Sequence, residues 1–231
     1  YSPFIGIWGS EWVGLKHFRM FFESVYAWRI IRNTLYISLY SFLFCFPAPI
    51  ILALLLNEVR SVGFKRVVQT ITYMPHFISV VVLVGMITQM FNPVMGMYGT
   101  VYRLLGGEGY PKDILTNAGA FRHMYVWSGI WQNLGWNTII YISALSSVDP
   151  ELHEAAEIDG ASRLKRMIYI DFPVLIPTAA IMLIMNAGSI MSVGFEKTYL
   201  MQNSTNLIAS EVISTYVYKT GMSRGEFAAI L

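Results

Sequence analysis

The sequence predicts an all-α chain folded as a polytopic transmembrane helix bundle, and three observations carry that expectation. Of 231 residues, 55% are hydrophobic and only 13% charged, with a mean hydropathy of +0.51; soluble domains carry about a quarter charged residues. Uncharged apolar runs recur along the chain, each long enough for the roughly 20 helical residues that cross a bilayer. Between two of these runs lies an island of charge, residues 149–173, bounded by helix-start and helix-stop signals.

Taken in order, residues 1–34 are mixed, with Trp8, Trp12 and Trp28 among charged and small residues. Such aromatics settle at a membrane–water boundary. Phe18, Phe21, Phe22 and Val25 recur at roughly helical spacing, so the segment Trp12–Trp28 reads as a helix lying along the interface. The opening residues lack the basic start and apolar stretch of a signal peptide. Four apolar runs follow. Leu35–Leu56 is kinked or broken by Pro47 and Pro49, and Val67–Phe91 holds Pro75 and His76 early. Met124–Val148 is rich in Trp, Asn and Gly, and Val174–Phe195 contains Pro177, Gly188 and Gly194. A further run begins at Phe227. No internal repeat or low-complexity linker divides the chain, so residues 1–231 read as a single transmembrane domain.

Several function classes are disfavoured. A formal charge of +2 without a long basic run gives no footprint for nucleic acid. Cys45 stands alone, so no internal disulfide forms, and its apolar setting suits packing. No GxxxxGK[ST] stretch cradles phosphates, and no serine sits in a GxSxG turn. The run His153-Glu154-Ala155-Ala156-Glu157 is one residue from the HExxH pattern of zinc peptidases, but its second histidine is absent. His153 reads instead as a surface histidine beside acidic residues. No catalytic residue, metal site or cofactor is expected in this chain.

The charged island has a definite local logic. Asp149 is a good N-cap and Pro150 suits the first helical position. Glu151, Glu154 and Glu157 place negative charge near the positive end of the helix dipole. Gly160 stands where a left-handed residue would stop the helix. A second short helix is expected from Ala161, carrying Arg163, Lys165 and Arg166, until Pro173 breaks it. Helix, glycine turn and helix at a membrane surface make the shape of a docking element.

Glu154-Ala155-Ala156, then Gly160, then Ile170-Asp171-Phe172-Pro173 resembles the EAA loop of ABC importer permeases. That pattern reads EAA, three residues, G, nine residues, I-x-L-P, and every fixed position matches except Phe172, which stands for Leu and keeps the site apolar. Residues 136–215 also resemble the carbohydrate-uptake branch of these type I importers, particularly its oligosaccharide and polysaccharide permeases. The resemblance implies a multi-pass subunit of the bacterial cytoplasmic membrane. It has a second homologous permease, as a heterodimer, two ATP-binding subunits, an extracytoplasmic solute-binding protein and membrane lipid as partners. ATP and Mg would sit on the partner ATPase. It further implies that Glu154, Ala155, Ala156, Asp159, Gly160 and Pro173 belong to the ATPase-coupling loop. There Glu154 makes the polar contact, the two alanines allow close approach to a groove, and Gly160 sets the turn. The family's first and last helices are missing here, and six would make the intact subunit.

Orientation follows from the same resemblance. Residues 57–66 and 149–173 hold six Lys/Arg against ten elsewhere, so density favours that side as cytoplasmic although raw count does not. The principal alternative is an ion-coupled secondary carrier, disfavoured because the spans contain no Asp, Glu, Lys or Arg.

The substrate path is marked by residue type alone. Trp131, Asn133 and Asn137, near Trp127, Gln132 and Trp136, offer aromatic faces for sugar rings and amides for hydroxyls. Against this, span-end tryptophans form belts and intramembrane asparagines join helices. Asn186 and Gly188 make the last span locally polar and small, with Gly188 read as a tight helix crossing. His76 after Pro75 is explained by a broken helix start. Met182, Met185 and Met191 read as packing filler, and Glu196 as the outer end of the last span.

Overall fold

A computed structural model describes residues 14–224, which are helices and connections without a strand. In order these are α1 (Lys16–Glu23), α2 (Ala27–Cys45), α3 (Pro47–Asn57), α4 (Val62–Tyr73), a 3-10 turn (Met74–Phe77), α5 (Val80–Met90), α6 (Met97–Leu104) and α7 (Ala118–Leu145). Then come α8 (Pro150–Ile158), α9 (Arg163–Arg166), a π turn (Met167–Asp171), α10 (Phe172–Gly188), α11 (Phe195–Met201), α12 (Leu207–Ser210) and α13 (Ile213–Arg224). Trp8, Trp12 and the run from Phe227 lie outside the described residues.

The prolines decide where spans bend. Pro47 occupies the first turn of α3, where its missing N–H is not needed, so α2 and α3 meet at Phe46 and form one apolar run, Ala27–Asn57, of 31 residues. It starts before Leu35 because Ala27, Ile30, Asn33, Thr34 and Ile37 form a buried helical face. At Pro75 the outcome differs from a straight Val67–Phe91 span. The ring cannot donate to the preceding turn and crowds its carbonyl. The chain passes through a 3-10 turn, Ile78 turns extended, and α5 leaves at 103° to the helix before it.

At Pro173 the expected break does not occur. The π turn shifts the hydrogen-bond register, with the Phe172 amide donating to the Met167 carbonyl, and Pro173 falls in the first turn of α10. Residues Arg163–Gly188 therefore form one helical run of 26 residues. It ends at Gly188 rather than Phe195, and Phe195 opens α11, so Glu196 lies in the first turn of that helix. The 28-residue α7 is long enough to cross a bilayer, yet its amides and other polar groups make it less apolar than a lipid-facing span. Among the described residues, length and composition together qualify Ala27–Asn57 and Arg163–Gly188, with the bent pair as a third if it is one span, where four were expected.

The described residues fall into two compact units. One comprises residues 39–83 and 123–190 and is built on Ile50, Ala53 and Leu54 of α3, Tyr141 and Leu145 of α7, and Leu175 of α10. Met182 packs against this cluster, whereas Met185 and Met191 are exposed rather than filling space. The other comprises residues up to 38, 84–122 and from 191, with Ile30, Ile37, Phe121 and Val212 buried. A polar network ties it together. Buried Asn33 donates to the carbonyls of Ile208 (2.8 Å) and Glu211 (3.1 Å) and accepts from Arg122 (3.0 Å). Arg29 pairs with Glu211 at 2.9 Å, and Lys219 donates to Gln202 at 2.7 Å.

Candidate functional site

The charged loop forms as its caps dictate. Asp149 accepts a hydrogen bond from the Glu151 amide at 3.0 Å, with Pro150 in the first turn of α8. At the other end the Ala161 amide donates to the Ala156 carbonyl (2.9 Å) and the Gly160 amide to that of Glu157 (3.1 Å), which is a Schellman stop. Gly160 has φ +75°, a conformation that L side chains rarely adopt. Ser162 then caps α9 by accepting from the Lys165 amide.

Glu154, Ala155, Asp159 and Gly160 are all exposed, and Ala156 is half-buried. Pro173 is exposed too, but it stands in α10 and serves the π-to-α changeover. Leu152, Ala155 and Ile158 follow one another at i, i+3 and i+6, and Ile158 is 87% exposed. This apolar row beside the carboxylates was not singled out from sequence, although the spacing shows it. Arg166 donates to Glu157 at 2.7 Å. That hydrogen bond, then the guanidinium charge, holds the Glu157 carboxyl below its usual range, with Arg60 and Arg163 adding to the effect.

His153 is not the solvent-facing histidine its neighbours suggest. It is half-buried, with Nε2 3.2 Å from Oδ1 of Asp171, a carboxylate with no exposed surface. Asn57, at the end of α3, donates to the same oxygen at 3.3 Å. Asn57, Glu58, Leu145, Ser146, Val148, Pro150, His153 and Glu154 line an open cavity of about 430 Å³ beside this cluster. Nothing in the local sequence announces it, because His153 and Asp171 lie eighteen positions apart on different elements. Among the described residues no three His, Cys, Asp or Glu side chains stand together as metal ligands.

The substrate-path candidates separate. Asn133 meets His76, with its Oδ1 3.0 Å from Nδ1, and donates to the Gly129 carbonyl at 3.1 Å. Trp136 stacks on the His76 ring, centroids 4.4 Å apart and planes within 5°. Gln132 donates to the Ile78 carbonyl at 2.9 Å, occupying a carbonyl at the broken helix. His76 therefore does more than follow a proline. Trp131 and Asn137 are exposed on α7, outside this group, and Asn186 turns back to the Met182 carbonyl of its own helix at 2.7 Å. Gly188 is exposed at the end of α10, and a Cβ there would meet nothing within 4 Å, so it is no tight crossing among the described residues. The tight crossing is at Gly135, where a Cβ would run into the Thr72 carbonyl.

Residues 46–230 match the family described as binding-protein-dependent transport system inner membrane component. Protein LplB of Bacillus subtilis (strain 168) is 42% identical over 228 residues, covering 99% of this chain and 71% of the relative. The polygalacturonan/rhamnogalacturonan transport system permease protein YteP of the same organism is also 42% identical, over 99% of this chain and 70% of its own length. Among solved structures, a bacterial alginate ABC transporter in complex with alginate pentasaccharide-bound periplasmic protein superposes with a TM-score of 0.90 at 38% identity, covering 94% of this chain and 75% of the other. The chain belongs to the binding-protein-dependent transport system inner membrane components, the permease subunits of ABC importers.

Proposed function

We propose that this permease subunit carries an oligosaccharide or polysaccharide fragment across the cytoplasmic membrane as a multi-pass protein, driven through α8 by a separate ATPase. The observation that carries the reading is the exposed helix Pro150–Ile158, capped by Asp149 and stopped by Gly160 at φ +75°. A short rigid helix with small and apolar residues outward suits a groove on a partner. In this reading Glu154, Ala155, Ala156 and Asp159 form the contact face, while Gly160 and Pro173 set the chain path on either side. The assembly holds two permeases as a heterodimer, two ATPase copies and an extracytoplasmic solute-binding protein. ATP and Mg are bound by the ATPase, and this chain needs no cofactor of its own.

The cargo reading is supported by the names of relatives, one a polygalacturonan/rhamnogalacturonan permease and one structure an alginate transporter. Both cargoes are uronate polymers, so an acidic oligosaccharide is the favoured class. Asn133 and the stacked Trp136–His76 pair offer an amide and an aromatic face for a sugar ring. Trp131, Asn137, Asn186 and Gly188 complete the candidate path.

Co-purification of the intact subunit with ABC ATPase subunits of the same cell tests the coupling reading, comparing wild type with Glu154→Ala and Gly160→Pro. Recovery of the ATPase with wild type and its loss or uncoupling in the variants is expected. An ATPase that never associates would overturn the reading. For the cargo, the purified solute-binding partner is titrated with oligogalacturonate and with a neutral maltooligosaccharide; preference for the neutral sugar would exclude the acidic class.

A further inference from the structure

The buried carboxylate of Asp171 has no role in a capped docking helix considered by itself. It lies at the end of the π turn, has no exposed surface, and its Oδ2 is buried without a hydrogen-bond donor among the described residues. A carboxylate taken out of water and half satisfied is costly, and π turns gather at functional positions. Its Oδ1 lies 3.2 Å from Nε2 of His153 and accepts a hydrogen bond from Nδ2 of Asn57 at 3.3 Å. One oxygen thus joins the docking helix, one residue before Glu154, to the start of α10 and the end of α3.

Two further links lead from α8 towards α10: the main chain through Gly160 and the four-residue α9, and the ion pair of Glu157 with Arg166 at 2.7 Å. The first runs through a glycine turn and the second through an exposed Glu157 side chain, whereas the Asp171 carboxylate is buried at the foot of α10. α3 and α10, by contrast, are packed in one core through Ala53, Leu54 and Leu175. We infer that His153 and Asp171, with Asn57, form the rigid joint that delivers displacement of α8 to α3 and α10. His153 and Asp171 are positioning residues, and the inference rests on the coupling reading of α8.

The test uses the assembled transporter in lipid nanodiscs, with Cys45→Ser and a spin label at Ile184→Cys, an exposed position in the last part of α10. The readout is the shift in label accessibility on adding MgATP and vanadate. His153→Leu is expected to shrink that shift about threefold, with the ATPase still co-purifying and hydrolysing at a rate within about twofold of wild type. His153→Gln keeps a polar nitrogen within reach of Asp171 and is expected to restore roughly half of the shift or more. Asp171→Asn keeps size and one acceptor, provides a second variant should His153→Leu fail to fold, and is expected to fall between them. A purely structural role would not distinguish Gln from Leu in assembled protein. An undiminished shift in both His153→Leu and Asp171→Asn, equal loss in Gln and Leu, or a wild-type label unmoved by nucleotide while the ATPase is bound would overturn the joint. Failure of the ATPase to bind wild type would instead overturn the coupling reading beneath it.

Discussion

Two glycines that look alike in the sequence carry opposite consequences. At Gly135 an added methyl group would strike the Thr72 carbonyl, where backbone cannot give way cheaply. Gly135→Ala is expected to destabilise the detergent-solubilised protein by about 1–3 kcal/mol, read as a drop in thermal midpoint. Gly188→Ala fills open space at a helix end and should leave that midpoint unchanged or slightly raised. At Gly160 the Cβ would meet nothing within 4 Å, so Gly160→Ala isolates the cost of φ +75°, about 1–2 kcal/mol. Faster hydrogen exchange at the Ala161 amide is the local signature. Glu157 supplies a pH effect. Its folded carboxyl is held below its usual value by Arg166, so the pair stabilises the loop above the ordinary carboxylate range. That contribution is lost as pH falls through the depressed value. Protection of residues 157–166, measured against the intrinsic exchange rate at each pH, should fall in acid in wild type, and Glu157→Gln should flatten the dependence.

At the scale of elements, short-range chemistry explains the docking loop and long-range chemistry explains the spans. Asp149→Ala removes a cap on α8 and is expected to cost about 1 kcal/mol, with fraying seen as faster exchange at Glu151 and Leu152. In the unit that contains α2, the ladder of polar bonds depends on Asn33. Asn33→Leu leaves the Arg122 guanidinium and two carbonyls without their partner, and a loss of about 2 kcal/mol or more in thermal unfolding is expected. The caps and the Gly160 stop were legible because each acts within a few residues. Pro75 was legible as a break but not as a 103° turn, since the angle depends on what α5 packs against. Pro173 was misread as a break because a one-residue register shift upstream places it harmlessly in a first turn.

For the whole molecule, coverage is the telling quantity. Only 22% of the apolar stretch of Ala27–Asn57 and 11% of that of Arg163–Gly188 is buried within the chain. A water-soluble protein could not leave such helices bare; they call for an apolar surrounding such as lipid. Reconstitution should accordingly matter, and the protein should hold its fold in lipid nanodiscs and aggregate when detergent is diluted below its micellar range.

By itself the sequence determined the class of the molecule, the caps and stop of the charged loop, and the family. Composition, caps and a fixed motif spacing are local or additive properties, written along one strand of text. Tertiary structure alone decided that Asp171 is paired with His153, that His76 stacks on Trp136, and that Gly135 rather than Gly188 admits a neighbouring backbone. Each of these depends on which helix faces reach one another. Side chains tens of residues apart meet only once burial of the apolar faces has fixed the packing, and no local rule records that choice.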